Sequence, residues 1–318
     1  MVFSVLFYLL QNKQILGIKL PRRNCRSYGV AFSFQSNSIM LSILIPTYNY
    51  DCYDLVCELH RQALECNIEF EIIVADDCSS VKLSNLHRIT ELSNCQLIKP
   101  QQNIGRAKIR NFLAEKSQYN HLLFLDSDSF PASNEFLKKY IEFIPQNITI
   151  LGGRIYNAPQ DQYHTLLTKY GINRERNKDI LVKSTAPFTS PNFLIPKNIF
   201  NRIKFNENIK GYGHEDTIFG IELSRHNIPY YRFDNPIIHL QIEDNLTFIQ
   251  KTKESISNLY NIYLTKQYPE LETLSPILKL YLKLKKLHLT TLFAKIYHNF
   301  SNSLIKYCDN TDPNLAIF

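Results

Sequence analysis

A chain of 318 residues with 44% hydrophobic and 20% charged side chains has the composition of a globular protein, which excludes intrinsic disorder and a coiled coil. The formal net charge of +7 is concentrated at the two ends, because residues 1–40 and 275–307 contain basic side chains and no acid. The body between them is slightly acidic, so we expect no nucleic-acid-binding domain and no nucleic-acid partner.

The N-terminal region gives no sign of a membrane or secretory segment. The apolar opening at residues 2–10 is too short to span a bilayer and lacks the basic region and cleavage site of a secretory signal, so we expect a cytoplasmic protein. Residues 1–39 are expected to be an upstream extension or the product of a misplaced start. The seven cysteines form no CxxC pair, and we expect them to be reduced.

Four short apolar runs alternate with segments of helical period along the first part of the chain. The predicted strands are residues 42–46, 70–75, 95–99 and 121–125. This alternation predicts an α/β fold with a mostly parallel sheet, whose ligands bind beyond the carboxyl ends of the strands. The polar residues that follow the strands are therefore expected to face one crevice: Asn49, Asp76, Asp77, residues 103–111, Asp126 and Asp128.

The rhythm becomes irregular after the fourth predicted strand. Ser133 is the expected N-cap of a helix that runs through Ile144. The polar stretch at residues 157–183 is expected to be a long loop. The remaining predicted elements are strands at 149–153, 192–196 and around Tyr231 and Ile238, and helices at 216–225 and 245–268.

Asp126 and Asp128 close the fourth predicted strand, where a period of two lets both carboxylates point the same way. Two carboxylates at this position suit Mg²⁺ or Mn²⁺ bound with a diphosphate. A solvated acidic turn is one alternative. Another is the aspartyl nucleophile of a haloacid dehalogenase-like phosphatase, although that motif normally opens its domain and three βα units precede it here.

Two further polar segments suit a nucleotide. Asp76 or Asp77 could accept a hydrogen bond from a uracil or a ribose hydroxyl, or could simply cap a turn. Arg106, Lys108 and Arg110 lie at the start of a predicted helix, where cations and the helix dipole favour phosphate. The GxGxxG motif is absent from the chain, which argues against a dinucleotide oxidoreductase.

A glycine-containing loop at residues 211–216 ends in two carboxylates at the start of a predicted helix. Tyr212 could stack on a sugar ring, and a carboxylate could take a hydroxyl proton. The alternative is an acidic helix N-terminus stabilised by the dipole. His239, considered alone, is expected to be a structural histidine.

Together these motifs resemble the family 2 glycosyltransferases of the GT-A fold over about residues 41–250. SILIPTYN, EIIVADDCS, QQNIGRAKIRN and LLFLDSDS are similar to four successive signatures of that family. GYGHED is similar to the acceptor-side GWGxED motif of chondroitin-type polymerases and β-1,4-galactosyltransferases, with Tyr212 in place of tryptophan. The resemblance implies a Rossmann-like mostly parallel sheet flanked by helices, with a nucleotide-binding half at 40–130, an acceptor half at 131–250 and a helical C-terminal extension.

The resemblance also implies an activity. The expected enzyme is a metal-dependent inverting glycosyltransferase, either a hexosyltransferase or an N-acetylhexosaminyltransferase, that extends a polysaccharide or surface glycan from a nucleotide sugar such as a UDP-sugar. Its partners would be the nucleotide-sugar donor and an oligosaccharide or lipid-linked glycan acceptor, and its cofactor Mn²⁺ or Mg²⁺. Besides the phosphatase, a non-catalytic nucleotide-sugar-binding scaffold is the remaining alternative.

Carried onto this sequence, the family's motifs imply a role for each candidate residue. The nucleotide-binding residues would be Pro46, Tyr48, Asn49, Asp76, Asp77, Asn103, Gly105, Arg110 and Asp126. The metal ligands would be Asp126, Asp128 and His239, and the acceptor-binding residues Tyr212, Gly213 and Glu215. Asp216 would be the general base, with Glu215 beside it in the catalytic pair.

The C-terminal region, residues 251–318, is expected to be helical and basic. Lys279, Lys283 and Lys286 recur at helical spacing within a leucine-rich stretch. These helices could cap the domain with a solvated face, or they could form an amphipathic surface for an anionic membrane that carries a lipid-linked acceptor. The second alternative implies a peripheral position at the inner face of the cell membrane.

Overall fold

The structure is a computed structural model that describes residues 39–156, 165–174, 182–183 and 187–309. The predicted N-terminal extension therefore lies outside the described residues, except for Ile39, and so does the end of the C-terminal region. All elements below belong to one folded unit, residues 38–318.

The first half of the main sheet consists of the four strands that the sequence predicts. They are β1 (Met40–Thr47), β2 (Glu69–Asp76), β3 (Cys95–Ile98) and β4 (His121–Leu125). β1 pairs in parallel with β2 and β4, and β2 pairs in parallel with β3, so their carboxyl ends share one edge. The interior of β1 is buried on both faces because helices cover both sides of the sheet.

The second half of the main sheet is mixed. Antiparallel β9 (Asn192–Pro196) joins β4 to β6 (Thr149–Leu151). β10 (Tyr230–Arg232) then pairs in parallel with β6 and antiparallel with β8 (Val182–Lys183). The strand order is β3-β2-β1-β4-β9-β6-β10-β8. The predicted α/β architecture with a mostly parallel sheet is confirmed.

Alternate side chains of the sheet pack into two separate cores. Ile43 and Ile45 of β1 face helix α1 (Tyr53–Glu65) in one core. Leu44 faces helix α2 (Arg106–Lys116) in the other. The second core also receives Phe219 from helix α6 (Glu215–Arg225), so α6 and α2 share the same side of the sheet.

A small second sheet was not predicted as such. Its central strand β11 (Ile237–His239) pairs antiparallel with β5 (Ser129–Pro131) and parallel with β7 (Arg154–Tyr156). The predicted strand at 149–153 is β6 of the main sheet, which ends two residues earlier than expected at Leu151, and β7 of the small sheet begins directly after the predicted range, at Arg154. The pairing of His239 with Ser129 places the histidine beside the segment that follows β4.

Ser133 does not cap the next helix, so that prediction is wrong. Helix α3 (Phe136–Ile141) starts later and ends earlier than expected. Gln62 of α1 accepts a hydrogen bond from the Leu137 amide at 3.0 Å, whereas the Ser133 hydroxyl accepts one from the Glu135 amide at 3.1 Å. A buried side chain from another helix therefore replaces the local cap.

The predicted long loop at 157–183 contains helix α4 (Leu166–Arg174) and strand β8, so the loop prediction is wrong for those two segments. Residues 157–164 and 175–181 of the predicted loop lie outside the described residues. The predicted helix at 245–268 ends four residues earlier, at Leu264. The other helices are α5 (Lys197–Ile203), α7 (Asn245–Leu264), α8 (Leu271–Leu274), α9 (Pro276–Lys286) and α10 (Thr290–Cys308), with 3-10 helices at Leu86–Glu91 and Ile144–Gln146.

Two further sequence expectations concern the whole chain. The cysteines among the described residues are all free thiols. Within the same part of the chain, no helix combines the length and the apolar character that crossing a bilayer requires. The expected boundary between the acceptor half and the C-terminal region, at residue 250, falls inside helix α7. That domain boundary remains a prediction.

Candidate active site

The two acids after β2 occupy different environments. Asp77 is 4% exposed, and its carboxylate oxygens accept hydrogen bonds from the backbone amides of Ile104 at 2.7 Å and Gly105 at 2.9 Å. Asn103 donates to the Asp77 carbonyl at 2.9 Å. Asp77 therefore holds the loop in front of α2 rather than capping its own turn.

Asp76 is bound by groups near the edge of the crevice. Its carboxylate accepts hydrogen bonds from the Ser79 amide at 2.8 Å and from Lys99 Nζ at 3.0 Å. Burial alone would raise the pKa of the Asp76 carboxyl, but these bonds lower it below its usual value. Asp76 is therefore a carboxylate over the ordinary pH range.

The loops after β1 and β2 are tied together. The Asn49 side-chain oxygen accepts from the Ser80 amide at 2.8 Å, and the Asn49 amide donates to the Ser79 hydroxyl at 2.7 Å. Pro46 lies within β1, and the Tyr48 ring next to Asn49 is half exposed. Of these residues, Tyr48 presents the largest free surface to a flat ligand such as a base.

Arg110 connects the end of β4 to the loop at 211–216. The side chain is 3% exposed, with Nη2 at 2.8 Å from Asp126 Oδ1 and Nη1 at 3.6 Å from Glu215 Oε1. Glu215 is itself only 6% exposed. Sequence analysis assigned Arg110 to a phosphate, and it did not anticipate that the guanidinium lies between two carboxylates.

Asp128 and His239 meet beside the small sheet. Asp128 Oδ2 is 3.6 Å from His239 Nδ1, which is too long for a hydrogen bond. Burial raises the pKa of the Asp128 carboxyl, but His239 and Arg154 outweigh it, so that the pKa lies below its usual value. His239 Nδ1 is buried, and no hydrogen-bond partner for it exists among the residues that the structure describes.

This pair fits a divalent cation. Two ligands each about 2.1 Å from one ion lie about 3.0–4.2 Å apart, depending on the angle between them, and the observed separation falls within that interval. The described part of the chain contains no cluster of three or more histidine, cysteine or acidic side chains that could hold a metal. That is compatible with Mg²⁺ or Mn²⁺, which take their other ligands from substrate phosphates and water.

The loop at 211–216 has an unusual backbone that helix α7 holds in place. Gly211, Gly213 and His214 have φ values of +86°, +83° and +73°. Asn258 of α7 donates to the Gly213 carbonyl at 2.7 Å, and Ser255 contacts His214 Nε2 at 3.0 Å. Sequence analysis missed Ser255 and Asn258, although their spacing of three places them on one face of a helix.

Replacing Gly213 with alanine is expected to destabilise the protein by about 1–2 kcal/mol, because the left-handed backbone opposes a Cβ atom. The added Cβ would also lie 2.8 Å from the Ser255 hydroxyl. Gly211→Ala is the matched control, since its φ is similar but the nearest atom is 4.0 Å away. Urea unfolding that shows equal losses for the two variants would mean that contact with Ser255 does not matter.

Asp216 is the second residue of helix α6, directly after Glu215. Burial and the neighbouring Glu215 raise the pKa of the Asp216 carboxyl from its ordinary 3.8 to about 7. The Thr217 amide donates to Asp216 Oδ1 at 2.7 Å. A carboxyl whose pKa lies near neutrality can accept a proton and release it again at physiological pH.

Two cations flank the Tyr212 ring. The Arg106 guanidinium carbon is 4.7 Å from the centroid of the tyrosine ring, and Lys251 Nζ is 5.6 Å from it. An opening of about 500 Å³ lies in front of α2. Its lining includes Arg106, residues 207–211 and Glu215. The expected sugar-stacking aromatic is thus covered by Arg106, which itself lines this opening, whereas Tyr212 does not line it.

Among the predicted site residues, the structure forms two groups. Asp126, Arg110 and Glu215 are joined by ion pairs, with Asp216 adjacent in the chain to Glu215. Asp128 and His239 form the second group. Asn49, Asp77 and Asn103 instead make hydrogen bonds that hold the surrounding loops, so the structure shows no direct contact between them and either group.

Comparison with known proteins relates part of the chain to a known family. Residues 42–204 match the profile of "Glycosyl transferase family 2". An "Uncharacterized glycosyltransferase" of Rickettsia bellii is 26% identical over 223 residues, covering 70% of this chain and 31% of that protein. The "Chondroitin synthase" of Escherichia coli is 25% identical over 232 residues, covering 60% of this chain and 33% of that protein.

The fold also occurs in a solved structure. A crystal structure of GalNAc-T7 with UDP, GalNAc and Mn²⁺ superposes with a TM-score of 0.51 at 15% identity, covering 66% of this chain and 45% of that one. The chain spans less than half the length of the curated relatives it matches. None of these similarities favours the phosphatase alternative. Because the profile match covers more than half of its 318 residues, the chain belongs to glycosyl transferase family 2.

Proposed function

We propose that the protein is a divalent-metal-dependent glycosyltransferase that moves a sugar from a UDP-sugar to a glycan acceptor with inversion of configuration. One observation carries this proposal. Arg110 joins Asp126, at the carboxyl end of β4, to Glu215 beside the candidate base Asp216. The donor and the acceptor must lie close together for the sugar to be transferred. The Arg110 bridge would keep the proposed donor side, at Asp126, next to the proposed acceptor side, at Glu215.

The donor would lie beyond the ends of β1, β2 and β4. Asp76 is the acid better placed for a base or ribose, because one of its oxygens is held by the exposed Lys99 side chain, which a ligand could displace, whereas both oxygens of Asp77 accept backbone hydrogen bonds. Tyr48 offers an exposed ring on the opposite loop. The solved structure of GalNAc-T7 with UDP and Mn²⁺ supports a uridine nucleotide as the first donor to test.

Asp128 and His239 would hold the metal, since they lie 3.6 Å apart and His239 Nδ1 has no hydrogen-bond partner among the described residues. Asp126 is a further candidate ligand, although it is paired with Arg110. A bound Mg²⁺ or Mn²⁺ would neutralise the negative charge that develops on the departing diphosphate. The protein would supply the orientation of Asp128 and His239.

The proton transfer would fall to Asp216. An acceptor hydroxyl is a poor nucleophile until its proton is removed, and Asp216 would take that proton as the oxygen bonds to the anomeric carbon. The bond from that carbon to the diphosphate breaks in the same displacement, which inverts the configuration. Glu215 would bind a second acceptor hydroxyl, and Tyr212 would contact the sugar ring once Arg106 moves away from it.

The acceptor would be a growing polysaccharide or surface glycan. Support comes from the similarity to the chondroitin synthase of Escherichia coli and from the opening of about 500 Å³ beside Glu215. The transferred group would be a hexose or an N-acetylhexosamine. The scaffold alternative predicts the same donor binding without turnover, so a turnover assay with UDP-sugars separates the two.

Nucleotide binding is the first test. Titration calorimetry with UDP, GDP and CMP, with and without Mn²⁺, should show metal-dependent binding of UDP. Asp128→Ala should weaken that binding by at least about tenfold to a hundredfold, the loss that follows removal of even an outer-shell partner of a metal ligand. Asp54→Ala, an exposed acid in the first turn of α1, serves as the matched control. Absence of binding to all three nucleotides would contradict the proposal.

The acid limb of the pH–rate profile should lie near pH 7, because Asp216 must be ionised to act as a base and its pKa is about 7. Glu215 is a like charge that raises this pKa, so Glu215→Gln should move the limb to lower pH. Glu222→Gln, on the same helix and paired with Arg225 at 3.2 Å, should leave it in place. An unmoved limb in Glu215→Gln would exclude Asp216 as the titrating group.

A further inference from the structure

The first half of helix α10 has no cover from the rest of the described protein. Every residue from 291 to 300 is exposed. Leu292, Phe293, Ile296, Tyr297 and Phe300 in this stretch each expose 45–57% of their surface. Single exposed apolar residues are ordinary, but five within nine positions of one helix form a patch of the kind that marks an interaction surface.

The patch is one face of the helix. At about 100° per residue, the five side chains fall within an arc of about 140°, and Tyr307, also exposed, falls in the same arc. Among the side chains that the structure describes, Ile305 and Cys308 of α10 join an apolar cluster with Leu166, Ile249 and Phe248. Both residues lie outside the arc, so this cluster does not use the exposed face.

Helix α9 also exposes apolar side chains. Ile277, Leu280 and Leu287 at or next to this helix are 45–56% exposed. Residues 275–307 contain six lysines and no acid, and the lysines of α9 and α10 with described side chains are all exposed. Helices of this length gain most of their stability from burying an apolar face. The exposed apolar side chains of α9 and α10 therefore favour an apolar partner that also accepts many cations.

We propose that α9 and α10 form a docking surface for an anionic lipid bilayer. The exposed leucine, isoleucine and phenylalanine side chains would enter the boundary between headgroups and acyl chains, with the tyrosine rings at headgroup level. The lysines, with no acid to offset them, would lie against negatively charged headgroups. Charge complementarity selects the bilayer, because residues 275–307 offer no acid to pair with basic groups of a protein partner or a second copy.

Vesicle flotation of the full chain tests this surface. Vesicles of phosphatidylcholine mixed with phosphatidylglycerol should carry the protein, and vesicles of phosphatidylcholine alone should bind about tenfold more weakly. Salt should weaken binding, since it screens exposed charges. Two double variants, Phe293→Ser with Phe300→Ser and Lys279→Glu with Lys283→Glu, should each lower binding by about tenfold or more. Both should keep the wild-type melting temperature, because they alter exposed side chains.

The matched control removes apolar surface elsewhere. Leu64→Ser with Val81→Ser changes residues that are 56% and 51% exposed but lie outside this region, and vesicle binding should be unchanged. Binding that does not depend on phosphatidylglycerol, or that survives both surface variants, would overturn the proposal. So would gel filtration that shows a dimer dissociated by Phe293→Ser with Phe300→Ser in a protein that binds no vesicle. Since UDP binding is measured separately, failure here leaves the proposed activity untouched.

Discussion

Replacing Asp216 with asparagine is expected to slow glycosyl transfer by about 10²- to 10⁴-fold, the range that a positioned general base contributes. The substitution keeps the shape of the side chain and removes only its ability to take a proton. The affinity for UDP and Mn²⁺ should remain that of the wild type, because Asp216 is not among the proposed donor ligands. Steady-state rates with a UDP-sugar and calorimetry with UDP measure the two effects separately.

The same variant should be more stable than the wild type at high pH. The pKa of Asp216 is raised from 3.8 to about 7, so the folded state favours the neutral carboxyl and ionisation opposes folding. This penalty is absent below pH 3.8, grows as the pH rises and is complete above about 7. Asp216→Asn should therefore melt above the wild type in alkaline buffer and with it in acid. An inactive variant with no such pH-dependent gain would indicate a damaged fold rather than a lost base.

The strands that sequence analysis predicted well are those whose signal is local. Residues 42–46 and 70–75 are continuous apolar runs because both faces of the sheet are covered, and no distant partner is needed to recognise them. The carboxyl ends of these strands follow directly. The position of Asn49, Asp76 and Asp126 at one edge could thus be derived from the order of elements alone.

The elements that were missed depend on distant partners. Strand β5 has three residues, and it is a strand only because residues 237–239 pair with it from more than a hundred positions away. Helix α4 begins where Asn245 accepts a hydrogen bond from the Leu166 amide at 2.8 Å. Gln62 plays the same part for α3. Neither the period of apolar residues nor a local capping motif carries such information.

The candidate site shows the same division. The sequence placed Arg106 and Arg110 one turn apart at the start of a helix, which put both side chains on one face. It could not reveal that Glu215, far along the chain, supplies the carboxylate that Arg110 meets. Nor could it show that both carboxylate oxygens of Asp77 accept hydrogen bonds from backbone amides, whereas one oxygen of Asp76 accepts a hydrogen bond from Lys99.

Arg110→Met is expected to destabilise the protein by about 3–5 kcal/mol, because removing one partner of a buried ion pair leaves the other charge without compensation. Glu215 is 6% exposed, and the Arg110 guanidinium lies 3.6 Å from its carboxylate, with Arg106 as a second cation nearby. Methionine preserves much of the length and apolar volume of the arginine stem, so loss of packing contributes little. Urea unfolding gives the free energy, and UDP calorimetry should show weaker binding because Asp126 loses its orientation.

Two comparisons separate the bridge from a general effect of losing an arginine. Arg61→Met removes a surface guanidinium that pairs with Glu58 and Glu65 at 2.7 Å and 2.5 Å, and it should cost far less because such pairs are solvated. Adding Glu215→Gln to Arg110→Met should restore part of the lost stability, since the uncompensated carboxylate is then gone. If Arg110→Met costs no more than Arg61→Met, Arg110 does not hold the two halves of the site together. If the double variant recovers nothing, Glu215 is not a partner whose loss destabilises the fold, and Arg110 does not bridge Asp126 and Glu215.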